Sequence, residues 1–483
     1  MIPALFSFET SGTFDRLMIA VVIGAVLLLA FIPTVMPWYV ALGGILVAAA
    51  SFLVLREPYL GVLLIAFFLP FERLGAYELG GMTIRISQVM LIITALAWLM
   101  RQVFIHRTRL VRNPVLIPVV LFLVVNAISL VNSINLIRSV VVLAFMVFTA
   151  SLAFVLPMIV RSPSQVRWLM WTMLASFVLV SVFGLFQFGG DMIGLPTTIT
   201  GLRDLYTRDV LGFTRVQSTA YEPLYFANYL LLPIACALAL FLSQRQTLRA
   251  AGMLGLFGLG MVLLVLTVSR GAYLAVAAAL AVVALYYLKR LLRPQIIATF
   301  LVAAFVAGWV VLQALGAGGG VLTLDKFQDH ILNVFYGASF DERMYTFELA
   351  HQAWQEHPWL GIGVGAFGPW AAPHPAYMPE DGWRIVNNEF IEILAETGIV
   401  GLIAFALIVL VLVIRSMRAI RVARDGYLRA VMVGLFAAFL GILVQYQTFS
   451  TLYIMHVWFV IGCMIAVQNC IIHTYDRSVR SLE

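Results

Sequence analysis

AGMLGLFGLGMVLLVLTVSRGAYLAVAAALAVVALYYLKR, residues 251–290, contains two apolar runs, near 251–268 and 271–289. Each is about the ~20 residues that a bilayer-crossing helix needs. Only Ser269-Arg270-Gly271 separates them, so the chain turns at one membrane interface and goes straight back. An arginine at that depth is expensive and is usually functional or paired; the alternative is a side chain snorkelling to headgroups. At the far end the second run meets Lys289, Arg290 and Arg293, a basic loop on the opposite side.

Similar runs lie near 17–32, 38–55, 59–70, 86–105, 115–131, 139–160, 166–188, 224–242, 296–314, 398–414, 429–446 and 452–471, making fourteen in all. The chain of 483 residues is 63% hydrophobic and 11% charged, against about 25% charged in a soluble domain, which excludes a water-soluble protein. The run at 59–70 is short and bounded by Pro58 and Pro70, so it reads as a half-span or a crossing. The expected fold is an all-α integral membrane protein with 12–14 transmembrane helices. The first run ends in Pro33 and Pro37 with no small-residue cleavage site, and reads as a retained span. Cys236, Cys463 and Cys470 lie in apolar runs without a CxxC spacing, which suits buried side chains better than a metal or redox site.

Basic loops set the orientation. Arg101, Arg107, Arg109 and Arg112 mark one cytoplasmic loop, Arg245 and Arg249 another, and Arg415, Arg418, Arg421, Arg424 and Arg429 the strongest. Both termini then fall in the cytoplasm. The net charge of +7 is spread over loops, with no soluble basic domain, so nucleic acid is not an expected partner. The chain divides into N-terminal helices (1–190), helices carrying a first outer loop and arginine motifs (191–314), a large outer loop (315–397) and C-terminal helices (398–483).

Three outer arginines stand out: Arg215 in Thr214-Arg215-Val216-Gln217-Ser218, Arg270, and Arg343 in Asp341-Glu342-Arg343-Met344. Guanidinium groups keep their charge and bind phosphate in bidentate fashion. Three together would hold a diphosphate and stabilise it as it leaves, without a metal or other cofactor. Residues 316–397 hold 11 Asp/Glu against 3 Lys/Arg. Residues 341–357 read as a helix, with Met344, Phe347, His351 and Trp354 at helical spacing. His357-Pro358-Trp359-Leu360-Gly361-Ile362-Gly363-Val364-Gly365 follows, a glycine-rich turn that lacks the GK[ST] of a phosphate loop and suits tight packing. Trp354, Trp359, Trp370 and Trp383 are candidates for sugar contact or for interface anchors.

These motifs, in this order, resemble the O-antigen ligase and polymerase superfamily of bacterial inner-membrane proteins. The resemblance rests on Glu342-Arg343-Met344, on His357 to Gly363, and on Asn387-Asn388-Glu389-Phe390 through Gly398. Upstream it adds Arg215 to Pro223, Ala227-Asn228-Tyr229-Leu230 and Ser269-Arg270-Gly271. It spans roughly residues 200–415; the first 190 match only in hydropathy. It implies a GT-C-like, metal-independent glycosyltransferase with a large periplasmic loop. Such an enzyme would move a saccharide from undecaprenyl diphosphate to a saccharide acceptor at the periplasmic face. Flippase or chain-length regulator proteins are implied partners. Arg215 and Arg270 match the arginines that engage the diphosphate, and Arg343 a recurrent loop arginine.

The sequence departs from the family where ligases usually carry His-Asn: here the pair is Asn387-Asn388, and Asn takes no proton at neutral pH. Glu222, Glu389 and His374 are the candidate bases, with Asn387 and Asn388 as candidate substrate contacts. The missing His favours a polymerase of O-antigen or exopolysaccharide repeats over a ligase. A small-anion, bicarbonate-like transporter is the other class. It would place charged groups at mid-span, where this sequence has only polar exceptions such as Asn126 and Gln187.

Overall fold

The computed structural model describes residues 49–73, 77–79, 82–104, 111, 113–203, 214–244, 247–301, 338–374, 376–379, 382–450 and 452–480. The expected run at 17–32, most of 38–55, most of 296–314 and the first part of the large loop lie outside them. The described chain is helical, apart from one antiparallel ribbon.

In chain order the elements are α1 (Pro58–Phe68), β1 (Tyr77–Leu79), β2 (Met82–Ile84), α2 (Ile86–Phe104), α3 (Leu116–Ser129), α4 (Leu136–Ala150) and α5 (Leu152–Ile159). Then come α6 (Pro163–Met192), α7 (Pro223–Ser243), α8 (Thr247–Leu266), α9 (Arg270–Leu291), α10 (Ala338–Glu356) and α11 (Phe367–Ala371). The chain closes with α12 (Glu389–Val422), α13 (Gly426–Gln445) and α14 (Met455–Arg480). The ribbon pairs Tyr77 with Ile84 and Leu79 with Met82.

Nine helical segments among the described residues are long and apolar enough to cross a bilayer. α1 and α3 are shorter apolar helices. α1 has eleven residues, about 16 Å at 1.5 Å per residue, so it does not cross by itself. Residues 49–56 just before it are also helical, and the helix is interrupted at Glu57, ahead of Pro58. Pro cannot donate to a helical ladder and is tolerated in the first turn, which places the break there.

α7 and α14 form the centre, with almost every residue of their apolar stretches buried. α13 packs on α7 and α9, and α12 on α3, α10 and α14. α8 and α9 lie outside and keep most of their surface open. Exposed Ile117, Val131, Ile137, Leu285 and Leu301 make the exterior apolar. In water such a surface would drive aggregation; in a bilayer it is the solvated face, and the helical backbone satisfies itself. The protein is therefore an all-α, multi-pass membrane protein. All three cysteines are free and buried.

A separate small core holds the segment from α10 to the start of α12 together. Leu349, Ala350 and Ala353 of α10 pack with Ile362, Phe367, Ala371, Val386 and Ala395. The packed face of α10 is thus Thr346, Leu349, Ala350 and Ala353, while Met344 and His351 are exposed. The helical period is as expected, but the buried stripe is the neighbouring one.

Candidate functional site

The turn between α8 and α9 is the first wall of the site. Val268 sits at φ 52°, a left-handed conformation that is strained for a β-branched residue and costs about 1–3 kcal/mol. It allows the chain to reverse before Arg270 opens α9. Ser269 caps α9 without a side-chain capping bond. Its Oγ is buried and has no hydrogen-bond partner among the described residues. The N-terminus of a 22-residue helix, with its partial positive charge, therefore lies beside Arg270.

The segment 214–222 is laid against this turn. Arg215 Nε donates to Thr267 O at 2.9 Å, and Val216 N donates to Leu266 O at 2.9 Å. Gln187, a mid-span polar exception in the sequence, holds the segment from the other side. Its Oε1 accepts from Ser218 N at 2.7 Å and its Nε2 donates to Ser218 O at 3.1 Å. Its role is to anchor a loop.

Arg343 enters from α10. Burial lowers the Arg215 pKa, and the charge of Arg270 lowers it further. Burial followed by Arg270 does the same to Arg343. Arg270 is thus within electrostatic reach of both Arg215 and Arg343, which are distant from it in sequence. Like charges gathered in this way favour an anion between them.

Glu222 is the N-cap residue of α7, next to these arginines. Burial and the charge of Glu72 raise its pKa to about 7, against the opposing pull of Arg215 and Arg203. Glu72 is a residue that sequence reasoning missed. It follows α1, is 6% exposed, accepts from Tyr221 N at 3.2 Å and pairs with Arg85 at 4.0 Å. Arg73 donates to Gly201 O at 2.6 Å, and Arg85 and Arg203 both lie over the Tyr221 ring, at 5.1 and 5.4 Å. The N-terminal part of the chain, between α1 and α2, thus supplies Glu72, Arg73 and Arg85. The available signal was a charged Glu-Arg pair two residues after Pro70.

A cavity of about 310 Å³ adjoins this cluster. Arg85, Arg138, Arg384, Glu389, Glu392 and Tyr453 line it, with Tyr225 one helical turn beyond Glu222. Arg384 is 4% exposed, and its Nε and Nη1 have no hydrogen-bond partner among the described residues. Trp383 lies 5.5 Å from the Arg138 guanidinium. Guanidinium donors, carboxylate acceptors and aromatic rings in one concave space suit a polyhydroxylated ligand.

The glycine-rich turn builds one wall. Ile362 N and Gly363 N donate to Ala395 O and Glu396 O, at 3.0 and 2.9 Å. Glu396 returns its carboxylate to Gly365 N at 2.7 Å and Phe367 N at 3.1 Å. α12 breaks at Gly398, φ 67°, and Ile399 N bonds to Pro358 O instead of within its helix. A Cβ at Gly398 would lie 2.3 Å from Trp359 C, and one at Gly361 2.2 Å from Glu396 C. The turn is close packing around a broken helix, and Asn132, Ser129 and Arg138 bond it to the α3–α4 corner.

The other sequence candidates have these places. Glu389 lines the cavity, and its Oε2 accepts from Leu452 N at 2.9 Å. Asn388 caps α12, its Oδ1 accepting from Phe390 N and Ile391 N at 3.1 Å each. Asn387 beside it is half-buried at φ 59°. His374 stacks on Trp370, centroids 5.7 Å apart, in the segment after α11.

Residues 253–406 match the family model described as O-Antigen ligase. Over this segment, about a third of the chain, the protein is similar to the O-antigen ligase family. The matched stretch carries Arg270, Arg343, the glycine turn, Asn387 to Glu389 and the break at Gly398; Arg215 and Glu222 lie before it. No curated protein matches the chain. This similarity supports a glycosyl-transfer type of function in the membrane.

Proposed function

We propose that the protein is a polymerase of saccharide repeats carried on undecaprenyl diphosphate, working at the periplasmic face of the bacterial inner membrane with both termini in the cytoplasm. Arg270 at the α9 N-terminus, within electrostatic reach of Arg215 and Arg343, carries the reading. This is a site for a dense anion, and a diphosphate fits it without a metal.

The acceptor repeat occupies the cavity of Arg85, Arg138, Arg384 and Glu389. Glu222 stands between the arginines and Tyr225 at the cavity wall, with a pKa near the working pH. It takes the proton from the acceptor hydroxyl. The oxygen attacks the anomeric carbon of the donor, and the bond from that carbon to the phosphate oxygen breaks. Undecaprenyl diphosphate leaves with the bonding pair, and the arginines stabilise the charge that develops on it. Glu389 and His374 fit the proton-acceptor role less well, since Glu389 already accepts from Leu452 N and the described ring contact of His374 is with Trp370. Asn387, two residues before the cavity-lining Glu389, is a substrate contact in this reading, and Asn388 supports it as a cap.

A ligase shares this donor site and differs in its acceptor. The absence of the ligase His from Asn387-Asn388 favours the polymerase. Deleting the gene and profiling the lipid-linked saccharides separates them. A polymerase leaves single repeats on the carrier; long chains there would make the protein a ligase, and an unchanged profile would remove both readings in favour of the transporter. Flippases and chain-length regulators are the partners this reading calls for.

A further inference from the structure

The opposite end of the bundle holds a second cavity, of about 450 Å³, between α12 and α14. Arg415 on its wall is 17 residues beyond the break at Gly398, about 25 Å along α12 at 1.5 Å per residue. Arg418, Asn469 and His473 line the same space, with Ile414 and Ile472 as its apolar wall. The lining contains no Asp or Glu.

Arg415 Nη2 donates to Asn469 Oδ1, which fixes which way the Asn469 amide faces. Asn469 is 6% exposed, and its Nδ2 has no hydrogen-bond partner among the described residues. A buried N–H left without an acceptor is costly, and an oxyanion in the cavity would satisfy it. Ile414 is 58% and Leu410 52% exposed on the same helix, on the outer apolar surface. The space therefore sets two guanidinium groups and an amide in a mainly apolar lining that continues into the exposed apolar surface of α12.

We propose that this cavity binds the phosphate headgroup of an anionic bilayer phospholipid. The guanidinium groups of Arg415 and Arg418 supply the charge and the paired donors that a phosphodiester accepts. The Asn469 amide adds a neutral donor, and Ile414 and Ile472 pack on the first methylenes of the acyl chains. Basic pockets between transmembrane helices are suited to such headgroups. A soluble phosphate shares the headgroup chemistry but leaves the apolar wall unused. The site is independent of the reaction proposed above.

The test is titration of the delipidated full-length protein in detergent with phosphatidylglycerol or phosphatidylcholine, read by native mass spectrometry. The wild type should prefer phosphatidylglycerol. Arg415→Gln/Arg418→Gln should weaken that binding by about 30-fold, and Asn469→Leu several-fold. Arg421→Gln/Arg429→Gln, basic residues at the same end but outside the cavity, should leave it unchanged. Equal binding of the two lipids overturns the proposal, as does an equal loss in the Arg421/Arg429 pair. Displacement of the lipid by millimolar glycerol phosphate would assign the site to soluble phosphate and overturn the lipid. Thermal unfolding checks each variant, and Asn469→Leu decides if the arginine pair does not fold.

Discussion

Glu396 and Gly365, thirty-one residues apart in sequence, are joined by a 2.7 Å hydrogen bond from the Gly365 N–H to the Glu396 carboxylate. The second carboxylate oxygen takes Phe367 N at 3.1 Å, so one buried side chain closes the glycine turn onto α12. Glu396→Ala would leave two buried N–H groups without acceptors, at about 1–3 kcal/mol each. The expected result is a large fall in the thermal midpoint and faster proteolysis between 357 and 370. Glu396→Gln keeps one acceptor and should lose about half as much. Equal stability of wild type and Glu396→Ala would show that the turn is held by other contacts.

Gly398 should be equally demanding. Its positive φ and the 2.3 Å approach of a Cβ to Trp359 C leave no room for a side chain. Gly398→Ala should destabilise the protein by more than about 2 kcal/mol. Gly258→Ala on the outer helix α8 meets nothing within 4 Å and should change stability by less than about 1 kcal/mol. Thermal unfolding in detergent of the two variants side by side measures the contrast.

The extent to which the sequence foretold this molecule follows from what each signal depends on. The hairpin around Ser269-Arg270-Gly271 was legible because two apolar runs of bilayer length leave the chain no other course. The helix at α10 was legible from its period, yet the stripe that packs is Leu349, Ala350 and Ala353, since alanines yield no strong periodic signal. Arg215, Arg270 and Arg343 were found as charges in apolar or outer settings. Glu72, Arg73 and Arg85 were not, because their part in the site depends on α1 stopping after Phe68 and on segment 214–222 being laid across it. That is tertiary information, absent from local pattern.

The pKa of Glu222, about 7, sets the pH dependence if it is the base. Its carboxylate must be ionised to take a proton, so the rate should rise about tenfold per pH unit below 7 and level off above it. Glu222→Gln should remove most activity and the acid limb with it. The positive charge of Arg203 lowers the Glu222 value, so Arg203→Gln should move the limb to higher pH. A limb that keeps its position in Arg203→Gln would point to another proton acceptor.

Asn388 offers a way to separate capping from substrate contact. Its Oδ1 accepts from two N–H groups of the first turn of α12. Asn388→Ala should cost about 1 kcal/mol, whereas Asn388→Ser restores a cap. If capping is its whole role, Asn388→Ser should recover both the thermal midpoint and the rate of transfer. Recovery of stability alone would assign Asn388 a contact with saccharide.

The arginine cluster is best tested in a cell-free assay with purified protein in nanodiscs, an undecaprenyl-diphosphate-linked repeat as sole substrate and no added metal. The expected product is a ladder of longer lipid-linked saccharides. Arg270→Ala should reduce it by at least about a hundredfold, the scale for losing one charge-stabilising donor in a transition state, while the protein still folds and inserts. A ladder undiminished in Arg270→Ala would contradict the account.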